Sequence, residues 1–185
     1  MAKHKNSSKE KWLIEGKKIV VKKGVEAINI DEISKKIGVA KTSFYHFFRS
    51  KSNFLEILFQ KGIEDGTDRV IKLVHQESGP WNRIEKLIHT VVDHNSQNEL
   101  FLRGLRTYGL HNKKTLALIR ETELKRMQFL KALLLEAGMS ENEAEEKSQY
   151  FYLYTLGLYE HIYANPHLLD DKQKIYDRML RLLKI

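Results

Sequence analysis

Apolar side chains recur three and four residues apart along most of this 185-residue chain, and no stretch alternates with the period of two that a half-buried strand requires. In "SKEKWLIEGKKIVVKKG", Trp12, Leu13, Gly16, Ile19 and Val20 share one face. Lys22, Lys23 and Gly24 then read as a cationic last turn followed by a left-handed residue, so the spacing predicts a helix over Ser8 to Lys23. A second helix starts at Asn29, which can accept from the amide of Glu32 while Glu32 reaches back to it. Ile30, Ile33 and Ile37 face inward along it. Gly38 supplies a backbone angle that few side chains tolerate, and Val39 drops back into the core. A third helix from Ala40 or Lys41 buries Phe44 and Phe48 at i, i+4. Lys41, Thr42, Ser43, Tyr45 and His46 are left facing out.

A fourth helix, about Lys51 to His75, opens with Phe54, Leu55, Leu58 and Phe59 against this small bundle. It continues through Val70, Ile71 and Val74, which need a different partner. The same period then returns after Pro80, from Asn98 to Tyr108, before the stop "EAGMS", between the cap at Ser140 and "ANP", and from about His167 to Leu183. The expected fold class is all-α, with about nine helices.

Charge separates the two ends of this pattern. Residues 1–61 hold 14 Lys and Arg against 6 Asp and Glu, the whole formal excess of +8, while the remainder carries 18 against 18. A cationic N-terminal part attached to a neutral body points to a polyanionic partner. The absence of cysteine excludes disulfides and thiolate chemistry. The polar start is unlike a secretory signal, and no apolar run reaches the roughly 18 residues of a membrane span, so a cytoplasmic protein without a membrane partner is expected.

Two short helices joined by a glycine turn, the second polar outside, form a helix-turn-helix pattern. Thr42 and Ser43 are short enough to let a helix approach DNA closely, Lys41 adds charge, and Tyr45 reaches a phosphate with its hydroxyl. Lys51 is a further phosphate ligand. His46 either meets a phosphate or base or sits half-buried beside Phe47, and Asn29 at the cap completes the set of DNA-binding candidates.

"INIDEISKKIGVAKTSFYHFFRSKSNFLEILF" resembles the N-terminal signature of the TetR family of bacterial one-component repressors over about residues 8–68: a capped helix, G-V-x-K, an aromatic run and a lysine opening the fourth helix. Two positions depart from it. Phe47 stands where the common L-Y-x-H-F ending has histidine, and Ile30 where many members have threonine. The resemblance implies a DNA-binding domain over 1–50 and, from helix four at 51 onward, a ligand-binding and dimerisation domain over 51–185. It also implies a small-molecule pocket among the middle helices and a four-helix dimer contact made by the last two.

On those elements Trp81, His89, Phe101, Arg103, Arg106, Tyr108 and His111 are the pocket candidates, the arginines suiting an anionic effector. Phe151, Tyr152, Tyr154, Leu158, Tyr159, Ile162, Ile175 and Met179 are the dimer candidates, and the same aromatics would also suit a monomer core. A helix-turn-helix module reads few base pairs, so a two-fold dimer on a palindromic double-stranded operator is expected. The function so implied is a ligand-responsive repressor that binds DNA as a homodimer, with an effector of unknown identity and no cofactor. His89, Asp93 and His94 suggest a metal pair but have no third ligand, and a solvated face accounts for them. No G-x-S-x-G, Walker loop, Rossmann fingerprint or H-E-x-x-H appears, so an enzyme is not expected. A helical adaptor for other proteins is the alternative, ahead of a small-molecule enzyme; it would explain the aromatic C-terminal helices but not the segregated charge.

Overall fold

The computed structural model describes residues 8–93 and 97–184. Among them lie α1 (Ser8–Lys23), α2 (Ile30–Ile37), α3 (Lys41–Phe48), α4 (Lys51–Ile63), α5 (Arg69–Val74), α6 (Pro80–Asp93), α7 (Gln97–Gly109), α8 (Lys113–Glu136), α9 (Glu141–Ala164) and α10 (Lys172–Lys184), and no strand. A π turn over Glu64–Asp68 joins α4 to α5 without a break. Counted as rods, the described residues form the nine helices that the spacing predicts. None is long and apolar enough to cross a membrane.

The described residues up to Asp65, together with Leu100–Ile119, form one compact unit; Gly66–Glu99 and the residues from Arg120 onward form another. The first unit is built on aromatic rings. Trp12, Phe44, Phe48 and Phe54 are fully buried. Their centroids stand 5.0 Å apart for Trp12 and Phe44, 5.4 Å for Phe44 and Phe54, and 4.9 Å for Phe48 and Phe54, with the planes steeply inclined, the arrangement the ring quadrupole favours. Gly16 lets α4 come this close, since a Cβ there would sit 2.7 Å from Phe54 Cζ. Phe54, Leu55 and Leu58 thereby make α4 part of the same core as α1 to α3. The buried Glu15 carboxylate has Lys36 Nζ at 2.6 Å and Lys18 Nζ at 3.8 Å, tying α1 to α2.

In the second unit, Ile84, Ile88, Leu130, Leu134, Met179 and Leu183 form the centre of a separate core. α10 packs on α6 and on α9. The last helix starts later than the periodicity suggests. Pro166–Asp171 winds as 3-10 turns, and Asp171 Oδ1 accepts from the Lys174 amide at 3.1 Å, which caps α10 and places its first residue at Lys172.

Candidate nucleic-acid interface

The turn between α2 and α3 is specified by local bonds. Asn29 Oδ1 accepts from the amides of Asp31 (2.9 Å) and Glu32 (3.3 Å), using two of the donors that a helix start leaves open. Gly38 takes a left-handed conformation (φ 64°, ψ 35°) and ends α2. Ser34 Oγ then donates to the Val39 carbonyl at 2.8 Å, which fixes the chain's path into α3.

On α3 the structure separates the expected contact residues into two kinds. Lys41, Thr42, Tyr45 and His46 are exposed. Ser43 is half-buried: its hydroxyl donates to the Ala40 carbonyl (2.8 Å) and accepts from Trp12 Nε1 (3.2 Å), anchoring α3 on α1. Lys41 Nζ lies 2.7 Å from Asp31 Oδ1, and the hydrogen bond to Asp31 raises the ammonium pKa and holds the first turn of α3 beside the first turn of α2. The His46 ring stands edge-on to Phe47 at 5.2 Å without being covered by it.

Beyond α3, Ser50 caps α4 by accepting from the Asn53 amide at 3.1 Å, and Lys51 is exposed in the first turn. Lys51 makes no ion pair among the described residues, so its charge is available to an external anion. Of the two residues between these helices, Arg49 escaped the sequence reading. Its φ of 60° and ψ of −40° fall in the γ-turn region that a non-glycine residue rarely occupies. The Ser50 amide closes that turn onto the Phe48 carbonyl at 2.6 Å. Arg49 is exposed and unpaired among the described residues, and it brings a guanidinium to the same end of α3 as Tyr45 and Lys51. The flanking "RSK" was the available signal.

The second unit holds a cavity of about 100 Å³. Val70, Leu87, Phe129, Phe151 and Tyr152 supply much of its apolar wall. Its polar edge is an ion pair, Arg126 Nη1 to Glu99 Oε1 at 2.8 Å, and Arg126 Nε also donates to Thr67 Oγ1 at 3.1 Å in the π turn. Next to Arg126, Lys125 holds Asp68 of the same turn at 2.7 Å. Burial first, and then Glu99, push the Tyr159 pKa well above the ordinary phenol range, with Arg126 opposing.

None of the seven residues expected to line a pocket lines this cavity. Phe101 is buried in the core of the first unit, and Tyr108 packs there against Phe59 at 5.9 Å. Arg103 and Arg106 are half-buried on α7, and His111 is exposed. His89 stacks on Tyr176 at 4.0 Å, and Trp81 lies beneath Lys184 Nζ at 5.4 Å. Asp93 pairs with Lys172 at 3.0 Å, and His94 lies outside the described residues. Among the described residues no three His, Asp or Glu side chains are grouped to hold a metal.

Of the eight residues expected at a subunit contact, Phe151, Tyr152, Ile162, Ile175 and Met179 are buried within the second unit. Tyr154 and Leu158 pack half-buried against its core, and the Tyr159 hydroxyl donates to the Val91 carbonyl at 2.8 Å. What α9 leaves open is a different set: Tyr150, Leu153 and Tyr163, respectively 61%, 62% and 59% exposed.

Residues 15–58, which include α2, the turn and α3, match the family model for bacterial regulatory proteins of the tetR family. Over 76 residues the chain is 30% identical to the transposon Tn10 TetC protein of Escherichia coli, and over 88 residues it is 25% identical to the nucleoid occlusion factor SlmA of Haemophilus influenzae. These stretches cover 41% and 48% of this chain but only 38% and 40% of those relatives' own lengths. A transcriptional regulator of Saccharomonospora viridis solved in complex with choline superimposes with a TM-score of 0.81, over 94% of this chain and 95% of that one. At 14% identity, the last is a likeness of fold.

Proposed function

We propose that this chain, which belongs to the TetR family by its N-terminal unit, is a DNA-binding transcriptional regulator: a ligand-responsive repressor that sits on a palindromic operator as a homodimer. The observation that carries the reading is the exposed row Lys41, Thr42, Tyr45 and His46 on a helix whose inner side is locked to α1 by Ser43 and to the core by Phe44 and Phe48, with Arg49 and Lys51 at its end. A helix so held enters the major groove as a rigid body. The short Thr42 and the ring of His46 then meet base edges, while the Tyr45 hydroxyl, Arg49 and Lys51 meet phosphates.

The homodimer is supported by α9 and α10. Tyr150, Leu153 and Gly157 fall at i, i+3 and i+7 along one open face of α9, where Gly157 has no neighbour within 4 Å of a built Cβ. The exposed face of α10 carries Lys174, Arg178 and Arg181, and that of α9 carries Glu146 and Glu160. An isologous contact needs a self-complementary patch, and an acidic helix beside a basic one supplies it. Response to a ligand is supported by the cavity in the second unit, whose polar edge is bonded to the π turn in the continuous helical run that begins at Lys51. A ligand that reshapes the cavity acts on the DNA-binding unit through that run.

Selection of bound sites from random duplex DNA tests the reading. A palindrome with half-sites about one helical turn apart is the expected product. Recovery of no enriched sequence at low salt would refute it.

A further inference from the structure

Resting on the reading of the second unit as the effector domain, the geometry points to an uncharged, apolar effector about the size of one aromatic ring, held in the cavity between α5, α6, α8 and α9. Two properties of the cavity set this class. The first is volume. At about 100 Å³ it is of the same order as the roughly 150 Å³ apolar cavity that holds a single benzene in another protein.

The second is the state of its polar groups. Every polar side chain on the wall already has a partner. Thr90, Ser148 and Thr155 donate to the carbonyls of Lys86, Glu145 and Phe151 in their own helices. Tyr159 donates to the Val91 carbonyl. Arg126 is bonded to both Glu99 and Thr67, and Asn98 and Tyr152 are likewise engaged. Glu15 Oε1, a buried carboxylate oxygen whose one close partner is Lys36 Nζ at 2.6 Å, belongs to the other unit.

A charged ligand therefore meets no counter-charge that is free to receive it. An ammonium would have to take Glu99 and strand the Arg126 guanidinium, and a carboxylate would have to take Arg126 and strand Glu99. The pair is half-buried, with the side chains 20% and 12% exposed, and leaving one member of it unpaired is unfavourable. An apolar molecule needs no exchange of partners: it fills space lined by Val70, Leu87, Phe129 and Phe151 and loses only its own contact with water.

Three probes that share one phenyl ring and differ in charge decide it: toluene, benzoate and benzylammonium, titrated into the full chain without DNA and followed by calorimetry and by the shift in unfolding temperature. Saturable binding of toluene, with both ions at least about tenfold weaker, is the expected result. Equal or tighter binding of either ion, or no binding of toluene, overturns the proposal. Methyl chemical shifts of Val70, Leu87 and Leu130 locate the toluene in the unsubstituted protein, and shifts confined to other methyls overturn the assignment of the site. Thr155→Leu, which fills the cavity, should abolish toluene binding, while undiminished binding to the folded variant counts against the site. Because no DNA is present, a negative result here is separate from failure of the operator selection.

Discussion

Ser43 and Thr42 are neighbours on α3 with nearly the same chemistry, yet the structure gives them opposite work. The Ser43 hydroxyl is consumed by Ala40 and Trp12, whereas that of Thr42 faces out. Ser43→Ala removes the acceptor of a fully buried indole N–H and is expected to cost about 1–3 kcal/mol in urea unfolding. Thr42→Ala is expected to leave stability within about 0.5 kcal/mol while changing the sequences recovered from a random pool. Equal stabilities for the two variants would mean that the Trp12 bond contributes nothing. Tyr45→Phe and Lys51→Ala, which delete a hydroxyl and an ammonium that the proposed reading sets against phosphates, should weaken binding to all duplexes by similar factors. A changed base preference in either variant would assign that residue to the base edges instead.

At the scale of elements, what could be read in advance was what short-range chemistry decides. The Asn29 cap, the left-handed Gly38 and the inward Phe44 and Phe48 involve residues within a few positions of one another, so α2, the turn and the inner face of α3 were legible, whereas the turning-in of Ser43 depends on Trp12 far back in the chain and was not. Gly38→Ala, which forces a side chain into that conformation, should cost about 1–2 kcal/mol and lower operator affinity with it; an unchanged unfolding midpoint would show that the turn relaxes freely. The cavity was not legible. Its polar edge joins Thr67, Glu99 and Arg126, far apart in the chain, and nothing in the local pattern around Arg126 distinguishes it from Arg103 or Arg106. The open face of α9 was missed for a related reason. Aromatics crowd more than one side of that helix, and which of them the monomer buries depends on where α6 and α10 pack against it. The start of α10 was missed because Leu168 and Ile175 keep helical spacing across a segment that winds more tightly.

For the molecule as a whole, the expectations concern assembly and charge. Leu153→Arg places a cation on an exposed position of α9, so the monomer should keep its stability while the particle mass at micromolar concentration falls by half; a dimer that survives would move the subunit contact elsewhere. With about six to ten phosphates neutralised per dimer, operator affinity should fall by roughly 10³ to 10⁵ between 50 and 200 mM salt, and a flat response would deny the cationic first unit its part in binding. The π turn at Glu64–Asp68 has a consequence of another sort. Each i→i+5 step advances the backbone through less rotation than an ordinary helical step, so the stretch takes up one residue more than a regular helix of the same number of turns would. The stretch holds a surplus residue as an axle holds a spacer. Excising one residue from it should let the backbone close up as an ordinary helix with little loss of heat stability, and a shortened chain that no longer folds would show that the surplus residue is needed.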